Sequence, residues 1–122
     1  MTVFFYDSYA VIEYINNNLK FVPYFEDNTG ILTIFNLVEI YYAVLNDAGK
    51  EKADVVFESL FPIIVEPSKE TIKEAMQFRQ EQKKKKLSYA DCIGYKTASE
   101  RKIIFLTGDI QFKDMENVIF IK

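Results

Sequence analysis

Along the chain, short unbroken apolar runs alternate with longer stretches in which apolar residues recur every three or four positions. Val3-Phe4-Phe5-Tyr6, Ile31-Leu32-Thr33-Ile34, Ile63-Ile64-Val65, Ile103-Ile104-Phe105-Leu106 and Val118-Ile119-Phe120-Ile121 are too short for helices and rich in β-branched and aromatic side chains. Runs of this kind predict strands covered on both faces. Between them, Ala10, Val11, Ile12, Tyr14 and Ile15 predict a helix stopped by Asn16-Asn17-Asn18, while Pro23 allows at most a helical turn between positions 20 and 28. Leu37, Val38, Tyr41, Tyr42 and Leu45 predict a long helix from Phe35 to the region of Ala48, closed by Gly49. Ala53, Val56, Phe57 and Leu60 mark another from Lys50 to Phe61, ended by Pro62, and Ile72, Ala75, Met76 and Phe78 a third that begins at Ser68. The last helix starts at Tyr89, where Ser88 and Asp91 form a capping-box-like pair, and runs to about Lys102. This alternation implies a three-layer α/β/α sandwich around a mostly parallel five-stranded sheet, with residues 1–122 forming one domain.

Strand direction then decides where the acids lie. Asp7 closes the first strand and Asp109 follows the fourth, while Asp91 opens the helix that leads into that fourth strand. In a parallel sheet the ends of strands and the starts of the returning helices share the carboxyl-terminal edge, where open α/β sheets bind ligands. Glu39, in the first turn or two of its helix, reaches the same edge. Each acid also has an ordinary explanation: Asp7 suits an N-cap, and Glu39 suits the positive end of a helix dipole. Asp114 reads as a loop residue, and Asp27 receives no role.

Composition narrows the chemistry. Histidine is absent, which excludes a Ser-His-Asp triad and most zinc hydrolase sites. The one cysteine, Cys92, has no internal partner and reads as a packed helix residue. With no charged leader or long apolar run, a reducing cytoplasm is the expected location and no membrane is expected as partner. The formal charge of −3 argues against nucleic acid. Setting four carboxylates aside as metal ligands leaves the remainder slightly positive, however, and Lys83-Lys84-Lys85-Lys86 stands just before the Ser88 cap. That run is a solvated loop or a grip on RNA phosphate beside Asp91.

Like charges about 4 Å apart repel by roughly 4 kcal/mol at an effective dielectric near 20. Four converging carboxylates therefore call for cations or shared protons. Oxygen-only ligands select hard ions, Mg²⁺ or Mn²⁺. Such ions retain waters, one of which can act as a nucleophile, so the chemistry predicted is metal-dependent phosphodiester hydrolysis.

Phe5-Tyr6-Asp7-Ser8, Leu37-Val38-Glu39-Ile40-Tyr41-Tyr42, Leu87-Ser88-Tyr89-Ala90-Asp91 and Leu106-Thr107-Gly108-Asp109-Ile110-Gln111-Phe112 resemble the motifs of PIN-domain ribonucleases over nearly the whole chain. Size and element order are most similar to the VapC-type toxins of prokaryotic toxin–antitoxin pairs. The resemblance implies a sheet of order 3-2-1-4-5, Mg²⁺ or Mn²⁺ at Asp7, Glu39, Asp91 and Asp109, endonuclease activity on RNA, a homodimer, and an antitoxin that blocks the site. Ser8 and Thr107 stand where the family often places ligand-orienting hydroxyls, though both are also ordinary turn residues. Aromatic density at Tyr41 and Tyr42, with Val56 and Phe57, supports the expectation of a dimer. A phospho-receiver domain would need an acidic pair after the first strand and a lysine where Asp109 stands. A haloacid-dehalogenase-type phosphatase would need an acid at Tyr9. The alternative function is a non-catalytic PIN-like module that binds RNA or protein.

Overall fold

The computed structural model describes residues 2–122. Strands β1 (Val3–Tyr6), β2 (Thr29–Thr33), β3 (Ile64–Val65), β4 (Ile104–Thr107) and β5 (Val118–Phe120) form an all-parallel sheet of order β3-β2-β1-β4-β5. The helices are α1 (Ser8–Ile15), α2 (Val22–Glu26), α3 (Ile34–Ala48), α4 (Lys50–Leu60), α5 (Lys69–Glu81) and α6 (Tyr89–Arg101). This is the expected α/β architecture, and the strand order is the one the family resemblance implies.

β1 is central, and its side chains alternate between the two layers. Phe5 stacks on its in-register neighbour Phe105 beneath α6, while Phe4 and Tyr6 pack against Tyr24 and Phe25 of α2 on the other face. α6 is buried along most of its length, with Ala90, Cys92, Ile93, Gly94, Tyr95, Thr97 and Ala98 shielded from solvent. Gly94 lets it lie so low: a Cβ there would come within 2.7 Å of the Phe5 ring. Tyr95 extends the core by stacking on Phe78 of α5 and meeting Phe105 edge-on.

Local chemistry sets the element boundaries. Ser68 accepts from the Thr71 N–H at the start of α5, and Ser88 and Asp91 exchange two bonds at the start of α6. Lys102 adopts the left-handed conformation (φ 58°, ψ 41°) that stops α6 and turns the chain directly into β4. Several predicted strand ends shift. Ile34 begins α3 instead of ending β2, because Asn36 reaches back to accept from the Thr33 N–H and hydroxyl. Pro62 starts no strand but sits in a 3-10 turn, Phe61–Ile63, which takes Phe61 from α4 and Ile63 from β3. Ile103 and Ile121 flank their strands: the Ile103 N–H bonds back to the Ala98 carbonyl of α6, and the Ile121 N–H donates to the Thr107 carbonyl just past the end of β5. No helix among the described residues is long and apolar enough to cross a membrane.

Candidate active site

The site is built from the ends of β1 and β4. The Asp7 backbone N–H donates to the Leu106 carbonyl at 3.0 Å, which extends the β1–β4 pairing to the last turn before α1. Asp7 occupies the N-cap position of α1, yet its side chain makes no cap bond. It turns toward Thr107, whose hydroxyl donates to Asp7 Oδ2 at 2.6 Å. Thr107 Oγ1 in turn accepts from the Asp109 N–H at 2.9 Å. The capping explanation of Asp7 therefore fails. The side chain is 1% exposed, and Asp7 Oδ1 has no hydrogen-bond partner among the described residues. A buried, unpartnered carboxylate oxygen is costly, and it marks a place where a cation or a proton belongs.

Asp91 and Asp109 are both held by local bonds. Asp91 Oδ2 accepts from the Ser88 N–H at 2.8 Å, and Asp109 Oδ1 accepts from the Gln111 N–H at 3.0 Å. Glu39 lies in the second turn of α3, past the reach of a helix-start dipole. Its Oε1 accepts from the Ser8 hydroxyl at 2.8 Å, and Ser8 Oγ accepts from Asn36 Nδ2 at 3.0 Å. Thr33, Asn36, Ser8 and Glu39 thus form one polar chain from the end of β2 across α1 and α3. Asn36 is fully buried and was not singled out from the sequence, although a polar residue three positions after Thr33, at the end of an apolar strand, carries the mark of a cap.

The charges of the neighbouring acids bear on Asp7 and Asp91. Burial first, then the charge of Asp91, and further the charges of Asp109 and Glu39 hold the Asp7 carboxyl well above the usual carboxylate range, against the lowering effect of the Thr107 bond. Burial raises Asp91 to about 6, offset by its Ser88 bonds and reinforced by Glu39 and Asp109. Among the described residues no three acidic, histidine or cysteine side chains stand in a ready-made coordination cage. What the fold supplies is an all-oxygen set around one orphaned buried oxygen, with Asp7 and Asp91 raised in proton affinity, a donor chemistry that fits Mg²⁺ or Mn²⁺. Asp114 is exposed in the turn after a second 3-10 segment, Ile110–Phe112, and does not perturb Asp7 or Asp91.

Lys83, Lys84, Lys85 and Lys86 are exposed in the loop between α5 and α6. Gln111 fastens that loop to the site: its side-chain oxygen accepts from the Lys86 N–H, its Nε2 donates to the Lys86 carbonyl at 3.0 Å, and its own carbonyl accepts from Lys85 Nζ at 2.8 Å. Because the Gln111 N–H also bonds Asp109, one residue ties the lysine loop to the acidic edge. Of the residues expected to form an apolar patch, Tyr42 is exposed, whereas Tyr41 and Val56 pack against the core and Phe57 is half-buried. The exposed apolar residues of α3 and α4 are instead Ile34, Phe35, Val38, Tyr42 and Val55, with Phe61 following α4. Cys92 is buried, and burial pushes its thiol up to about 11, as suits a packing residue.

The PIN domain family model matches residues 5–118. Among solved structures, the chain is similar to a toxin–antitoxin complex from Klebsiella pneumoniae, at 15% identity and a TM-score of 0.74, covering 98% of this chain and 96% of that one. It is also similar to VapBC2 from Rickettsia felis bound to a DNA fragment from their promoter, at 19% identity and a TM-score of 0.71, covering 98% of both chains. No curated protein matches it in sequence. At such identities the structural likeness is one of fold, while the family match spans nearly the whole chain, so the chain belongs to the PIN-domain family.

Proposed function

We propose that this protein is a metal-dependent endoribonuclease and the toxin of a toxin–antitoxin pair, acting in the cytoplasm. The observation that carries the reading is Asp7 Oδ1, a buried oxygen without a partner among the described residues, surrounded by the charges of Asp91, Asp109 and Glu39. Asp7, Glu39, Asp91 and Asp109 are the residues that would hold Mg²⁺ or Mn²⁺. Bound there, such an ion supplies an activated water and charge neutralisation for a phosphodiester.

The chain's own residues do the positioning. Thr107 fixes one oxygen of Asp7 and so leaves the other turned into the site. Ser8, held by Asn36, orients Glu39. The Ser88 bonds fix Asp91, and the Gln111 bond fixes Asp109. Lys83, Lys84, Lys85 and Lys86 hold the RNA backbone beside these acids, a contact that sets affinity and not sequence. The toxin assignment and the antitoxin partner draw on the fold shared with the two toxin–antitoxin complexes and on the motif resemblance. The Val38, Tyr42 and Val55 surface is suited to a homodimer interface.

The test is cleavage of single-stranded RNA by the purified chain with Mg²⁺ or Mn²⁺ and with EDTA. Internal cutting that stops with EDTA and leaves 3′-hydroxyl and 5′-phosphate ends is expected, because without histidine the 2′-hydroxyl route lacks its usual acid and base. A cyclic phosphate product would refute the mechanism. RNA binding without cutting would move the protein to the non-catalytic reading.

A further inference from the structure

Tyr89 is the first residue of α6 and the second before Asp91, and the residue is 61% exposed. A large aromatic side chain left in water at the mouth of a polar site gains nothing from burial there, so its packing partners are informative. The Arg79 guanidinium lies over the ring at 4.5 Å from its centroid. Arg79 is itself anchored, since its Nε donates to the Leu87 carbonyl at 3.1 Å. The cation thus occupies one face of the ring and stiffens it, while much of the ring remains open to solvent. Beside this pair, Met76, Arg79, Gln80, Lys83 and Lys85 line a cavity of ≈ 270 Å³ whose charged groups are all cationic. Lys85 also reaches the carbonyl of Gln111, the residue whose N–H holds Asp109. An aromatic platform, a cationic cavity and the carboxylates therefore follow one another along the same edge.

We infer that Tyr89, backed by Arg79, is a stacking platform for one base of a single-stranded RNA whose adjoining phosphates lie in the Arg79, Lys83 and Lys85 cavity. The inference rests on the proposed RNA chemistry and adds a subsite to it. Stacking on an aromatic face is open to every base, because each has a π-face, and the cation behind the ring adds to the attraction. The subsite selects unpaired nucleotides: a base in a duplex has both faces covered and cannot lie on the ring. Tyr89 holds the strand at a fixed offset from Asp91, and the platform sets where the strand is presented to the acids.

The experiment measures binding of a short fluorescein-labelled single-stranded RNA by anisotropy in EDTA, for the full-length chain and for Tyr89→Phe and Tyr89→Leu. Because the side chain is exposed, both variants are expected to unfold in urea as the wild type does. Tyr89→Leu should raise Kd about tenfold, equivalent to ~1.4 kcal/mol and within the range of base stacking. Tyr89→Phe keeps the ring and should stay within about twofold of the wild type. The salt dependence should be unchanged in both, whereas Lys83→Ala with Lys85→Ala should flatten it. The penalty of Tyr89→Leu should also vanish on an RNA carrying an abasic nucleotide at the stacked position. Wild-type binding that Tyr89→Leu leaves intact overturns the platform alone, as does an equal loss in Tyr89→Phe. A wild-type chain that binds no single-stranded RNA in EDTA overturns the platform, whereas the proposed function falls only if the chain also fails to cut RNA with Mg²⁺ or Mn²⁺.

Discussion

Replacing Asp91 by Asn keeps the side-chain shape and an oxygen able to accept from the Ser88 N–H, while removing one negative charge from the site. The folded-state carboxyl sits at about 6 against an ordinary value of 3.8, with burial as the largest cause. A shift of about two units corresponds to an order of 3 kcal/mol between the protonation states. The sign follows from linkage. Between about pH 4 and 6 the folded chain holds more protons at this position than the unfolded chain, so stability falls as pH rises through that window. Above it, the ionised carboxylate penalises the metal-free fold by the full amount. Asp91→Asn should therefore stabilise the chain in EDTA at pH 8 by roughly 2 to 3 kcal/mol, and by only about 1 kcal/mol at pH 4.5. Urea unfolding at both pH values measures this directly. Adding Mn²⁺ at pH 8 should reverse the order, because an ion that binds only the folded wild type stabilises it by mass action. The variant should also be unable to cut RNA. A variant less stable than wild type at pH 8 in EDTA, or a gain equal at both pH values, would refute the electrostatic account of the site.

Asn36→Ala should cost about 1 to 3 kcal/mol in urea unfolding, because it strips the Thr33 N–H of its acceptor and Ser8 Oγ of its donor in a buried place; it should also lower the cleavage rate by freeing Ser8 and with it Glu39, and Asn36→Asp, which keeps the acceptor for Thr33 but has no N–H for Ser8, should not restore it. Gly94→Ala should destabilise by about 1 to 3 kcal/mol, since the added methyl meets the Phe5 ring, with the loss visible as a lower thermal midpoint. Lys84→Ala with Lys85→Ala should reduce the slope of log Kd against log salt for RNA by about 0.7 for each phosphate no longer neutralised, and leave the metal-dependent stabilisation unchanged.

The sequence is legible wherever a local pattern and a direction agree. Apolar runs located all five strands, and Ser68 and Ser88 marked the starts of α5 and α6, because both signals live within a few residues. Parallel strand direction leads one to expect Asp7, Glu39, Asp91 and Asp109 at one edge, and the charges of Glu39, Asp91 and Asp109 are felt at Asp7. Side-chain partnerships across the chain leave no such trace. Asn36 meets Ser8 across 28 positions and Gln111 meets Lys86 across 25, so neither could be read as part of the site. Whether Asp7 caps α1 or faces the sheet end was equally hidden, since it is decided by Thr107, 100 residues away. The exposure of Tyr42 and the partial burial of Tyr41, adjacent on one helix, depend on how α4 folds back over α3.

The left-handed stop at Lys102 leaves no slack between α6 and β4. Asp91 and Asp109 are therefore spaced by a helix of 13 residues running one way and a strand of four returning. That hairpin behaves as a ruler. Adding or deleting one residue within α6 would shift its start by ~1.5 Å and swing it by about 100° around the axis, carrying Asp91 off the edge while β4 stayed in place. Length in this segment is thus as constrained as residue identity. The loop between α1 and α2, by contrast, lies outside the gauge, and a lengthened loop there leaves the spacing of the acids unchanged.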